Sequence, residues 1–475
     1  MNKSKKITLF VLLGVLTAVC AVIIIVTNLE EKKEKIKSEE AIVLKIDGDN
    51  VTALSWEYGE TSLSFTKDDQ WLWDEDAAFP VNSAKIDDLL AVFSEFSAAF
   101  TIEDVEDYAQ YGLDEPEAVI RVTEDGSERE IKLGTFSTLD EERYVSIGDG
   151  KVYLAVSDPM EDFELTIEDM ILNDDIPDLT DAAEIAVDGT ESYTITYEED
   201  SGKSCCKDDV YFAGDMPLDT TKIASYLSIL DGLSTATYET YNATGEELAA
   251  FGLDEPGTTV TVTYPVKTEN AEESEETEYE TFTLTVGQNR EELEKAEESD
   301  EEDEESEVTA YFRIGDSPIV YRLLEYTYEE LTANTVNDLR HEEIVTASFD
   351  DAESIDIVLE DETYTITART EDTDEDGEDE RIWSMDGRGD IEIAGIQTAI
   401  ESLSAYEFTE KEPKKQEEIR FTLHLNDENF PEIEVVLYRY DGDYCLAVTD
   451  GEPVALVLRS EVVDLIEAVN SIILD

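Results

Sequence analysis

The chain has 475 residues, 120 of them Asp or Glu against 33 Lys or Arg, for a formal net charge of −87. A surface of that sign repels phosphate backbones and anionic lipid, which excludes nucleic-acid binding, and it reads as a solvated, self-repelling surface, with attraction of basic partners or Ca²⁺ as the rival reading. The length exceeds what one hydrophobic core usually serves and fits three domains of roughly 130–150 residues.

Lys3, Lys5 and Lys6 precede the apolar run 7–29. At roughly 1.5 Å per residue this run crosses a ~30 Å hydrocarbon layer, which predicts an N-terminal transmembrane helix. No short apolar region with a small-residue exit is present, so the helix reads as an uncleaved signal anchor. A lipoprotein would use Cys20, but Val19 is bulky where a small residue is required. Lys32, Lys33, Lys35 and Lys37 match the N-terminal lysines. Orientation therefore rests on the large domain that follows, and the bulk of the chain is expected outside the cytoplasm, on a single-pass anchor in the cell membrane. A polar stalk, Glu30–Glu40, completes the segment 1–40.

Repeat 1, residues 41–174, opens with strand-like alternation at Ile42–Ile46, Leu63–Phe65 and Trp71–Trp73. Ile86, Leu89, Leu90, Phe93 and Phe96 then fall at i, i+3, i+4, i+7 and i+10, one face of an α-helix, with Ser83 as the expected N-cap. Gly112-Leu113-Asp114-Glu115-Pro116 follows as a turn, Gly supplying φ > 0 and Pro sending the chain out extended. Two hairpins come next, Val119–Val122 with Ile131–Leu133 through Asp125-Gly126, and Tyr144–Ile147 with Val152–Ala155.

Repeat 2, residues 181–338, has the same order. Ile223, Tyr226, Leu227, Leu230 and Leu233 form the helical stripe behind Thr220 or Thr221, and Gly252-Leu253-Asp254-Glu255-Pro256 repeats the pentapeptide. Gly287 stands where repeat 1 has Gly134. Two nearly pure acidic insertions, Glu269–Glu280 and Glu291–Glu307, read as unstructured loops. Repeat 3, residues 343–475, keeps the strands and the stripe Ile396, Ala399, Ile400, Leu403 and Tyr406, but has Lys411–Lys415 in place of the pentapeptide. The resulting fold class is α+β: a single N-terminal transmembrane helix followed by three tandem antiparallel-sheet-plus-helix repeats.

Chemistry-bearing residues are sparse. His341 and His424 are the two histidines, and no Cys/His spacing indicates zinc. Cys205 and Cys206 are adjacent and read as loop thiols, with a strained vicinal disulfide as the rival reading. Asp372-Thr373-Asp374-Glu375-Asp376-Gly377 matches the first half of an EF-hand loop. Its twelfth position is Trp383 rather than Glu, so the string reads as an acidic hairpin loop, with Asp372, Asp374 and Asp376 weak candidate Ca²⁺ ligands. Trp71, Trp73 and Trp383 read as core anchors, with a glycan platform as the rival. The carboxylates are so numerous that no catalytic pair stands out, and no cofactor is indicated.

The strand Gln70–Trp73, Tyr111–Pro116, Leu133-Gly134 with Tyr144, and, in the second copy, Phe251–Pro256 and Val286-Gly287 resemble the domain-of-unknown-function 4340 family. The likeness covers residues 41 to about 340, and the third repeat by order of elements. These motifs are structural and imply no catalytic residue. The resemblance implies an outward-facing, membrane-anchored auxiliary of gliding-motility-type ABC transporters, with transporter subunits as partners. No GxxxxGK[ST] loop is present, so the chain is not the ATPase. A non-enzymatic accessory module is the resulting expectation; a cell-surface adhesin or glycan-binding module, calcium-assisted or not, is the alternative.

Overall fold

A computed structural model describes residues 41–103, 105–138, 141–266, 277–298, 308–372, 379–385 and 388–474. The chain divides into two compact units, Met1–Asp174 and Asp175–Asp475.

The first unit carries β1 (Ala41–Leu44), β2 (Val51–Tyr58), β3 (Thr61–Lys67), β4 (Trp71–Trp73), β5 (Phe96–Ile102), β6 (Ala118–Glu124), β7 (Ser127–Ser137), β8 (Glu142–Ser146) and β9 (Val152–Ala155). They form one antiparallel sheet in the order β4-β3-β2-β6-β7-β8-β9-β5-β1. The second unit holds two such sheets. One comprises β10 (Glu184–Asp188), β11 (Tyr193–Tyr197), β12 (Tyr211–Ala213), β13 (Met216–Pro217), β14 (Tyr238–Thr240), β15 (Thr258–Val266), β16 (Glu278–Gln288), β17 (Ala310–Ile314) and β18 (Val320–Leu323). Its order is β13-β12-β11-β10-β15-β16-β17-β18-β14. The other comprises β19 (Ala352–Leu359), β20 (Glu362–Asp372), β21 (Asp379–Met385), β22 (Arg388–Ile391), β23 (Ala405–Phe408), β24 (Glu417–Leu425), β25 (Glu432–Arg439), β26 (Tyr444–Thr449) and β27 (Glu452–Leu458). Its order, β22-β21-β20-β19-β24-β25-β26-β27-β23, repeats that of the second sheet. Eight strands are thus common to all three. The ninth is added after β12 and β21 in the later copies, and as N-terminal β1 beside β5 in the first.

This corrects the expected fold class. Each repeat is a nine-stranded antiparallel sheet rather than a small sheet with one covering helix. Among the described residues no helix is long and apolar enough to cross a membrane, and the apolar run 7–29 lies outside the described residues. In repeat 1 two strands lie outside the expected set, β2 and the one after the main helix, β5. Phe96 continues the i+10 stripe, but the helix stops at Ala91 and Phe96 opens β5, whose buried Phe96 and Ala98 alternate with half-buried Ser97. Helices Thr220–Asp231 and Ala394–Glu401 likewise end before Leu233 and Tyr406.

The caps also lie one residue earlier than expected. Asn82 accepts hydrogen bonds from the Ala84 and Lys85 N–H groups, and Asp219 from those of Thr221 and Lys222. In the acidic stretch after Gly287, Arg290–Glu298 is a helix rather than an unstructured loop, because Asn289 caps it and Lys295 pairs with Glu291 at 2.6 Å. Two-residue hairpin turns at Asp125-Gly126 and Asp450-Gly451 carry positive φ at both positions, matching strand twist. The apolar face of each main helix is buried. In repeat 1 Ile86, Leu89, Leu90 and Phe93 are buried, and Phe93 and Trp56 both pack on Phe163.

Candidate functional site

The pentapeptide turn is a packing device. Gly112 (φ +68°) and Gly252 (φ +70°) sit in the left-handed region, and Leu113 and Leu253 are buried. A Cβ on Gly134 would lie 2.2 Å from the Tyr111 carbonyl oxygen; one on Gly287 would lie 2.5 Å from that of Gly252. The turn therefore rests directly on the bare backbone of β7 or β16. In the first copy Arg143 fastens it: the buried guanidinium donates to the Gly134 carbonyl, Glu117 and Asp158 at 2.5–2.6 Å. In the third sheet the same register position is Tyr438, which packs beside Val436, Leu446 and Val448 and fills the face that the turn covers elsewhere. The turn carboxylates serve no shared centre: Asp254 pairs with Arg290 at 2.6 Å, and Asp114 lines a separate cavity of about 460 Å³ with Tyr108, Lys132 and Ser146. Pro116 and Pro256 release the chain into β6 and β15.

An aromatic cleft opens in the second repeat. Strand pairing sets Tyr197 opposite Tyr211 and Pro265 opposite Tyr279. These four, with Asp181, Val210 and the helix residues Thr220 and Ala224, line a cavity of about 520 Å³. Tyr197 meets Tyr211 edge to face at 5.5 Å, and Tyr197 and Tyr279 remain 43% and 54% exposed. Tyr211 is fixed by its hydroxyl donating to the Ala182 carbonyl at 3.3 Å, and burial pushes that hydroxyl up to about 12. Among the described residues lining the cleft, none is cationic.

The third feature is the junction between repeats two and three, inside the second unit. The 204–209 loop and the 340–346 segment meet there. Asp209 is nearly fully buried, and its two carboxylate oxygens are occupied: the Ser204 hydroxyl donates to one at 2.6 Å, and His341 Nε2 lies 2.7 Å from the other. That hydrogen bond raises the His341 imidazole above its ordinary value. The Cys206 Sγ, an Asp209 oxygen and a His341 ring nitrogen all fall within 4.8 Å of one another. Cys205 Sγ points elsewhere, 3.3 Å from Thr346 Oγ1, and both thiols are free, so the vicinal disulfide is not formed. Lys207–Asp351 and Lys222–Glu342 ion pairs, at 2.7 and 2.9 Å, and the Arg340 guanidinium over the Phe408 ring flank the cluster.

Neither the cleft nor the junction has a local sequence signal. Tyr197 and Tyr211 are visible as strand residues, but their pairing belongs to the sheet, and His341 lies 132 residues from Asp209. His424 sits apart, 3.0 Å from Asp356. Trp71 and Trp383 are buried and Trp73 is half-buried, so they offer no exposed platform. Of the EF-hand-like string, Asp374 and Asp376 lie outside the described residues, and Asp372 ends β20.

A family model described as a domain of unknown function (DUF4340) matches residues 71–207 and 210–421. The matched segments start at Trp71, in β4, and Val210, beside the corresponding β12. The second runs on to Phe421, in the third repeat and past the residue 340 to which the sequence motifs reach. No curated protein and no solved structure matches the chain.

Proposed function

The chain belongs to the DUF4340 family, a domain of unknown function, and from that premise we propose that it is a non-enzymatic module whose second repeat binds a cationic, extended segment of a protein partner. The observation that carries this reading is the tyrosine cleft. Exposed tyrosines supply large, stiff contact area and attract ammonium and guanidinium groups through their ring faces. A cavity of about 520 Å³ with Asp181 in its wall and no cationic side chain among the described residues that line it, on a chain of net charge −87, complements Lys or Arg. The partner class is the one the family resemblance implies, subunits of an ABC-type transport system met outside the cytoplasm.

The test uses a fluorescein-labelled peptide of alternating Lys and Pro. Binding should weaken at least tenfold in Tyr197→Ala/Tyr279→Ala and stay unchanged in Tyr326→Ala, a tyrosine 61% exposed outside the cleft. Equal loss in both variants, or binding that depends on salt alone, would show diffuse attraction to an acidic surface and refute the cleft. In cells, cross-linked transporter subunits should be recovered with the wild type and lost with the cleft variant.

A further inference from the structure

We propose that Cys206, Asp209 and His341 form a site for a borderline-soft divalent cation of the Zn²⁺ type, which ties the 204–209 loop of repeat two to the entry segment of repeat three. Thiolate, carboxylate and imidazole are the three donor types that such an ion takes, and three protein ligands plus water complete a tetrahedron. Bond lengths near 2.0 Å to N and O and 2.3 Å to S place tetrahedral ligand atoms roughly 3.3–3.6 Å apart. The three donors already lie within 4.8 Å, and His341 Nε2 and Asp209 Oδ1 are 2.7 Å apart. Binding therefore requires shifts of about 1 Å, the Asp–His pair parting slightly and the sulfur moving in.

The surroundings match what a bound ion needs. Ser204 Oγ holds the second Asp209 oxygen at 2.6 Å and so aims the first. On the other side of the imidazole, Glu343 Oε2 stands 4.0 Å from Nδ1, beyond hydrogen-bond distance, and a shift of about 1 Å on metal binding would bring it into the carboxylate–histidine arrangement that fixes a ligating tautomer. Asp209 is buried and His341 and Cys206 half-buried, which shields the ion while leaving one position for water. Binding by the metal replaces two protons, the thiol proton of Cys206, which leaves to solvent, and the proton shared by His341 Nε2 and Asp209 Oδ1, which leaves to solvent or moves to Nδ1. Because the ligands come from both sides of the junction, occupancy stabilises the association of the two repeats.

Cobalt(II) is the probe. Added to the full-length reduced protein it should give a thiolate-to-cobalt charge-transfer band and the intense visible bands of tetrahedral cobalt, saturating at one equivalent and bleached by Zn²⁺. Cys206→Ser should abolish the charge-transfer band while Cys205→Ser and Cys445→Ser keep it, and Glu343→Gln should weaken Zn²⁺ competition by roughly tenfold. Weak octahedral spectra, as from scattered surface carboxylates, would overturn the proposal, as would a charge-transfer band that survives Cys206→Ser. Should Cys206→Ser fail to fold, the wild-type spectrum and its retention in Cys205→Ser still decide.

Discussion

Gly134→Ala tests the claim that the pentapeptide turn is seated on bare backbone. The new Cβ would stand 2.2 Å from the Tyr111 carbonyl oxygen and 3.0 Å from Leu113 Cγ and Cδ2. A backbone oxygen cannot rotate away as a side-chain tip does, so the turn has to lift and carry Leu113, now 3% exposed, toward water. Exposing a leucine costs about 1.5–3 kcal/mol, and overpacking by one methyl costs about 1–3 kcal/mol. Both describe one displacement, so the expected loss is about 2–3 kcal/mol. Gly48→Ala is the control: its Cβ meets Leu90 at 3.8 Å, ordinary contact, and the change should stay within about 0.5 kcal/mol. Urea unfolding of the full chain, followed by tryptophan fluorescence, reports chiefly on the first unit because Trp56, Trp71 and Trp73 lie there and only Trp383 lies elsewhere. The midpoint should fall by about 1–2 M in Gly134→Ala. A midpoint matching that of Gly48→Ala would refute the seating.

Arg143→Met should cost about 3–5 kcal/mol, because it leaves the largely enclosed Asp158 carboxylate without its counter-charge and the Gly134 carbonyl without the guanidinium donor; pairing it with Asp158→Leu should recover part of the loss in the same urea assay. Leu230→Ala, at a fully buried position of the second repeat's helix, should cost about 2–5 kcal/mol, read as a lower calorimetric transition for the second unit. The Thr166 backbone N–H and hydroxyl hold the Asp169 carboxyl below its ordinary value. Its stabilisation is therefore complete above the unfolded carboxylate value near 3.9 and is lost as pH falls through the lowered folded value. The stability gap between wild type and Asp169→Ala should accordingly be wide at about pH 7 and narrow at about pH 2.

Much of this architecture is legible in the residues themselves. Alternation of apolar and polar side chains sets strands, the i, i+3, i+4 stripes set the helix faces, and Asp125-Gly126 sets a hairpin, because each depends on local periodicity or on which residues accept positive φ. The paired glycines Gly112 with Gly134 and Gly252 with Gly287 are likewise visible as recurring residues, although the reason for the second of each pair appears only when the turn is seen lying on it. What tertiary structure alone decided is non-local. Phe96 satisfies a helical stripe and a strand equally well, and the choice falls to β9 and β1, which offer hydrogen bonds to β5 that a longer helix would forgo. The tyrosine cleft depends on strand register, and Cys206, Asp209 and His341 meet only because two repeats pack together, Asp209 and His341 being 132 positions apart in sequence. Sequence spacing encodes which face a side chain takes along its own element; which distant side chain it meets is set by how the sheets close and dock.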